Sequence, residues 1–189
     1  MDEDAFRGVG GQSVRDLSLR SSHLSQEHLP ALLSLTKLRS LDIALNKKVT
    51  AVDRLLDSLP SLETLDASFD EISSLGRVPA VSSTLRVLNV ADNPLVDVGV
   101  NAFVGLTALE DLRLDGGRLA LGNDSLSTQE ATLKTLSLRR CTFAHPPWPS
   151  VAGLSALETL YMSGVSSAPL AVFAVIVLMH RFGVQQIER

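Results

Sequence analysis

One pattern constrains this chain more than any other property. The run Leu-x-x-Leu-x-Leu-x-x-Asn-x-Leu occurs seven times, opening at Val14, Leu38, Leu62, Leu85, Leu109, Leu133 and Leu157. Successive openings are 24 residues apart, except for the 23 between Leu62 and Leu85. The text repeats too: Leu38-Arg39-Ser40-Leu41-Asp42-Ile43 is followed by Leu62-Glu63-Thr64-Leu65-Asp66-Ala67 and Leu85-Arg86-Val87-Leu88-Asn89-Val90. A unit this short cannot bury its apolar edge alone, so units must stack and share one core. The alternation predicts a short strand in each unit, with alternate side chains turned inward and neighbouring strands paired in parallel. Each leucine buried against its counterpart contributes about 1.5–3 kcal/mol. With aromatic residues at only 4% of the chain, aliphatic side chains must fill that core.

The ninth position of the pattern turns the chain away from the strand. A side chain there meets backbone groups opened by the turn, and Asn, with both a donor and an acceptor, serves them best. The seven residues are Ser22, Asn46, Asp70, Asn93, Gly117, Cys141 and Val165. Gly117 and Val165 offer no hydrogen-bonding group, so the ladder is expected to weaken at repeats five and seven. Cys141 is expected to be a buried ladder residue, not a reactive thiol. On the return path, 28–35 and 52–59 look helical. Gly76-Arg77-Val78-Pro79 and Ala144-His145-Pro146-Pro147-Trp148-Pro149 carry breakers that argue against regular helix.

Over nearly its whole length the chain therefore resembles the leucine-rich-repeat family. The resemblance implies an α/β solenoid, with a curved parallel sheet on the concave face and short helices or turns on the convex face. It also implies a non-catalytic module that grips another protein on the concave face. The expected organisation is a thin N-terminal cap over 1–12, seven repeats over 13–165, and an apolar return helix with a partial eighth strand over 166–189. In that last segment, Val184-Gln185-Gln186-Ile187 resembles the opening of another strand. It is either a truncated cap or the start of further repeats. Two alternatives to an adaptor or scaffold stay open: a recognition fragment of a larger receptor, cyclase or ubiquitin-ligase component, and a structural part of a cytoskeletal or flagellar assembly.

The residues between the leucines are the candidate partner-binding positions. Asp42 and Asp66 occupy the fifth position of repeats two and three, about 5 Å apart on neighbouring strands. With the small Ala44, Ser68 and Ala91 beside them they predict a shallow acidic zone, continued by Asn89. Further along, Arg113, Arg139 and Arg140 with Asp115 and Tyr161 predict a mixed, more basic zone. Arginine and tyrosine are frequent interface anchors.

Composition narrows the function. A net charge of −4 gives no broad positive field, so nucleic-acid binding is not expected. The single cysteine, Cys141, cannot form an internal disulfide, whereas extracellular members of this family usually carry disulfide-bonded caps. The acidic start Met1-Asp2-Glu3-Asp4 is unlike a secretory signal, so an intracellular, cytoplasmic location is expected. The sequon Asn123-Asp124-Ser125 has meaning only in a secreted chain. The apolar run 170–179 falls short of the ~20 residues that cross a bilayer and is bounded by Pro169 and His180-Arg181, so no membrane anchor is expected.

No constellation of catalytic groups emerges. His23 and His28 stand five apart, unsuited to a zinc-binding helix pair. Gly8-Val9-Gly10-Gly11 lacks the strand and helix that flank a phosphate loop, and there is no Gly-x-Ser-x-Gly elbow. The expectation is therefore no enzyme, no cofactor and a monomer that binds a protein. Pro146-Pro147-Trp148-Pro149 fits Pro-x-x-Pro, but is read as a rigid convex loop with Trp148 folded against the repeat.

Overall fold

The computed structural model of the protein describes residue 6 and residues 13–76, 84–99, 101–119, 121, 124–143 and 147–166. The expectations placed on the rest of 1–12, on 77–79, on 123, on 144–146, on the side chain of Trp148 and on 167–189 lie outside the described residues. Eleven strands occur in the described part, numbered here in chain order. They are β1 (Asp16–Ser18), β2 (Ser40–Asp42), β3 (Thr64–Asp66), β4 (Ser74–Leu75), β5 (Val87–Asn89) and β6 (Asp97–Val98). The remainder are β7 (Asp111–Arg113), β8 (Arg118–Leu119), β9 (Thr135–Ser137), β10 (Thr142–Phe143) and β11 (Thr159–Tyr161).

The expected strands form one sheet of seven in the order β1-β2-β3-β5-β7-β9-β11. Every pair is parallel, and each residue faces its counterpart one repeat on: Leu41 opposite Leu65, Leu65 opposite Leu88, Leu88 opposite Leu112. This register follows from the constant repeat length. Each connection returns the chain to the same starting edge, and only alignment of equivalent positions puts every leucine on the inner face. Leu41, Leu65, Leu112 and Leu136 have no exposed surface, whereas Leu17 on the edge strand β1 is only partly covered. Phe6 packs against the same cluster from the N-terminal side.

The strands are three residues long because the chain turns at the eighth position. All seven residues there, Ser21, Leu45, Phe69, Asp92, Gly116, Arg140 and Gly164, have positive φ, from 55° to 80°. The interstrand ladder nevertheless continues through this turn. Leu45 N–H donates to Ser68 O at 2.9 Å, Phe69 N–H to Ala91 O at 3.0 Å, and Gly116 N–H to Arg139 O at 2.8 Å. The left-handed residue is thus fixed by its neighbour repeat, which offsets the roughly 1–2 kcal/mol that this conformation costs a residue other than glycine.

The ninth-position ladder is present and directional. Asn46 Nδ2 donates to Ile43 O, Ala44 O and Leu19 O, while its Oδ1 accepts from Ser22 and Leu24 N–H. Asn93 Nδ2 donates in the same way to Val90 O, Ala91 O and Ala67 O. Cys141 Sγ donates to Leu114 O at 3.2 Å. At Gly117 a Cβ would approach Leu119 Cδ2 to 2.9 Å and Leu95 O of repeat four to 3.1 Å, so a ladder side chain would be crowded here.

On the opposite side the return paths are short and varied. Residues Gln26–Ser34 form a 3-10 helix, Asp53–Ser58 form helix α1, and Trp148–Ala152 form helix α2. The breakers near Pro149 do not prevent α2, because proline is tolerated in a first helical turn, where its missing N–H has no intrahelical partner. The short parallel pairs β4–β6 and β8–β10 were not expected. They give the outer side a second, discontinuous ladder. Two glutamines add further ties between repeats: the buried Gln129 Nε2 donates to Phe103 O at 2.7 Å, and Oε1 of the half-buried Gln26 accepts from Thr50 and Ala51 N–H.

Asp70 is the exception in the asparagine ladder. Its Oδ1 accepts from Asn46 N–H at 2.5 Å, but its buried Oδ2 has no hydrogen-bond partner. At the equivalent place Asn46 and Asn93 put an NH2 donor against carbonyl oxygens, which a carboxylate oxygen cannot replace. Burial is the main force raising its pKa from the ordinary 3.8 to about 7, with Asp66 and Asp42 adding repulsion while the Asn46 N–H and Arg20 pull down. A carboxyl more basic in the folded than in the unfolded state stabilises the fold when protonated. Its contribution is complete below about pH 4 and is lost as pH rises through about 7. Asp70→Asn supplies the missing donor at every pH. We predict that the variant is more stable than wild type by about 1–3 kcal/mol at pH 8, with the gap closing toward pH 4. Urea denaturation of both proteins across that range checks this, and a gap that widened on acidification would contradict it.

Candidate functional site

The open face of the seven-stranded sheet carries the third, fifth and seventh positions, and local chemistry fixes several of its side chains before any partner arrives. Asp42, Asp66 and Asn89 end strands β2, β3 and β5. Each accepts, through its Oδ1, the N–H two residues on: Ala44 at 3.0 Å, Ser68 at 3.0 Å and Ala91 at 3.1 Å. Small residues at the seventh position suit this closed turn, and Ala44, Ser68 and Ala91 are all buried. Asp42 and Asp66 are directly paired in register. Their zone is less acidic than the sequence predicts, because Arg20 Nη1 lies 3.6 Å from Asp42 Oδ1 and 3.8 Å from Asp66 Oδ2.

The second zone is a network of opposed charges, not a basic patch. Arg113 forms two hydrogen bonds to Asp111, at 3.1 and 2.9 Å. Asp115 Oδ1 accepts from Ser137 Oγ at 2.6 Å and from Arg139 N–H at 2.7 Å. The Arg139 guanidinium lies 4.2 Å from the centre of the Tyr161 ring, within cation–π range. Arg140 belongs to the left-handed eighth position and reaches back over two repeats to Asp92 at 2.6 Å. Gly116 stands between them, where a Cβ would lie 2.9 Å from Asp92 Oδ1. The expected residues are thus brought together in two groups, with Asp111 and Asp92 pairing Arg113 and Arg140, and Asp115 held by the Arg139 backbone N–H.

Several surface residues escaped the sequence reading. Arg20 and Asp111 occupy the seventh and third positions of their repeats and are not among the expected contact residues. Leu45 and Phe69 are large, apolar and exposed at consecutive eighth positions. Their signal was available as two apolar residues in a column otherwise made of Ser, Asp, Gly and Arg. Along the strand-entry edge the second position alternates in charge from Arg39 to Glu158. Glu110 binds both Lys134, at 2.8 Å, and Arg86, and Arg39 pairs with Glu63 at 3.4 Å. The hydrogen bond from Lys134, aided by Arg86, holds the Glu110 carboxyl below its usual range. These pairs are exposed and screened, so they fix register more than they stabilise.

Groups with chemical potential elsewhere are tied up. Cys141 is fully buried, and burial pushes its thiol up to about 12. His28 Nδ1 accepts from Ser25 N–H at 3.1 Å, at the start of the first 3-10 helix. Among the described residues no three His, Cys, Asp or Glu side chains are placed to hold a metal ion, and no helix is long and apolar enough to cross a membrane. Pro147 adopts ψ of 1° as it enters α2, far from the ~145° of a polyproline helix.

Residues 81–104 match the sequence family described as a leucine-rich repeat. No curated protein matches the chain.

Two outcomes follow from this geometry. Gly116→Ala forces a Cβ into a left-handed residue beneath the Arg140–Asp92 pair, and should cost about 1–2 kcal/mol in denaturant unfolding. A loss within error of zero would contradict the stated role of Gly116. Cys141 should resist a chromogenic disulfide reagent at pH 8 in the native protein and react fully in denaturant. Fast native labelling would show that the thiol is not enclosed.

Proposed function

We propose that this protein is a leucine-rich-repeat solenoid of seven repeats that acts as a non-catalytic adaptor or scaffold, binding another protein on the concave face of its sheet. One observation carries the reading. The outward positions form ordered rows, with Asp42, Asp66 and Asn89 locked by backbone N–H groups and Arg139 laid over Tyr161. Rows fixed before binding lower the entropy lost when a partner docks. Proteins of the leucine-rich-repeat family generally mediate protein–protein interaction, and the family match over 81–104 supports placing this chain among them. Strand twist and the narrow, variable return paths favour a curved array with the sheet inside.

The contact surface comprises Asp42, Asp66, Asn89, Arg113, Asp115, Arg139, Arg140 and Tyr161. Its paired charges favour a partner of mixed polarity over a nucleic acid, and a cytoplasmic monomer is the state in which we expect it to act. The test uses the wild-type chain and an Asp66/Arg113/Arg139/Tyr161 quadruple-alanine variant as paired baits in a native lysate, after circular dichroism shows both folded. A protein retained by the wild type and lost by the variant is the expected outcome. Equal retention of every specific partner by both baits would move the contact surface off the sheet.

A further inference from the structure

Leu45 and Phe69 form the apolar feature of the surface with the clearest context. They are 41% and 47% exposed, and they occupy equivalent positions on repeats two and three. Their N–H groups are bonded to the next repeat, Leu45 to Ser68 O and Phe69 to Ala91 O, which fixes their spacing at about one interstrand distance, ~4.8 Å. Large apolar side chains in adjacent exposed positions are a recurrent mark of interaction surfaces. On the same two repeats, three residues earlier at the ends of β2 and β3, stand the carboxylates of Asp42 and Asp66, paired in register. Between the carboxylates and the apolar pair lie only Ala44 and Ser68, which are buried and offer no relief. Two paired acids and two exposed apolar residues thus stand three residues apart on the same two repeats, a strip called here the shelf.

We propose that this shelf docks a peptide segment in which an arginine or lysine stands within three residues of an aliphatic or aromatic side chain. The cation binds Asp42 and Asp66, and the apolar side chain covers Leu45 and Phe69. This deepens the proposed function and rests on it. Charge complementarity selects the cation, and the protein already shows the fit with its own Arg20, whose guanidinium spans both carboxylates at 3.6 and 3.8 Å. Those distances exceed the ~2.7–2.9 Å of a close charge-assisted hydrogen bond, so a better placed cation gains contacts that Arg20 does not make. The acceptors are open: among the described residues Asp66 Oδ2 has only Arg20 beside it, and Asp42 Oδ2 accepts only from Ser18 Oγ at 3.1 Å. Arg20 is thereby a resident competitor for the partner's cation, and its removal should strengthen binding.

A displayed library of random peptides, selected against the full chain, tests this. Enriched sequences should place Arg or Lys within three residues of Leu, Ile, Phe, Tyr or Trp. For one such synthetic peptide, Asp42→Asn/Asp66→Asn and Leu45→Asn/Phe69→Asn should each weaken binding at least about tenfold, the 1.4 kcal/mol of one lost good contact. Asparagine suits the left-handed positions, so the second variant keeps the backbone. Arg20→Ala should tighten binding severalfold, Lys134→Ala on the strand-entry edge should leave it unchanged, and Arg113→Ala/Tyr161→Ala identifies any peptide held by the other zone. Thermal unfolding checks that each variant is folded. Enrichment without a basic residue, binding indifferent to the two aspartates, no enrichment at all, or loss of a dimer on changing Leu45 and Phe69 would each overturn the proposal. Peptides that depend on Arg113 and Tyr161 instead would overturn this shelf and leave the proposed function standing. Peptides indifferent to every open-face variant would sink both.

Discussion

The hydrogen bonds that each repeat makes to the next are the interaction on which everything else in this protein depends. No repeat has a core of its own. Leu65 is buried because Leu41 and Leu88 lie against it in register, and that register holds because every strand backbone is paired to its neighbour. The ladder reaches past the three-residue strands into the left-handed eighth position, where Leu45, Phe69, Asp92 and Arg140 would otherwise relax to commoner conformations. Stability in such an array is close to a sum over neighbouring contacts, and damage to one repeat propagates to the pairs beside it.

The same ladder separates what is fixed from what is free. Inward positions are committed to leucine, and the ninth position to groups that can bond carbonyl oxygens and N–H groups together. Asn46 and Asn93 meet that demand in full. Asp70 meets half of it and is a weak point that depends on proton uptake, while Gly117 avoids it by close approach. Outward positions carry no such obligation, and their residues vary freely along the sheet. Where they are ordered, the order comes from bonds within the surface, as in the carboxylates folded onto Ala44 and Ser68 N–H. A partner then meets side chains that have already lost much of their freedom.

Much of this was legible in the sequence because a fixed repeat length turns spacing into contact. Once Leu41 and Leu65 are aligned, Asp42 must face Asp66, and the pairing is as predicted. The burial of Cys141 followed from its column in the same way. What depended on the reach of long side chains was not legible. Nothing in the spacing says that Arg140 crosses Gly116 to find Asp92, or that Arg20 lies between Asp42 and Asp66. The strands β4, β6, β8 and β10 have two residues each, too few for a periodic signal. Helix α2 begins at Trp148 with Pro149 in its first turn, where the residue that breaks a helix interior is tolerated.

Hydrogen exchange resolved to single amides tests the central claim most directly, namely that interrepeat pairing extends through the left-handed turn and fixes the rows of the open face. The amides of Ile43, Ala67, Val90 and Leu114, which bond the next repeat just past the strand ends, and those of Leu45, Phe69, Asp92 and Gly116 at the turn, should exchange slowly and at similar rates, as one cooperative block. Fast exchange at Leu45, Phe69, Asp92 and Gly116 beside slow strand amides would contradict the claim, because the surface rows would then rest on mobile loops.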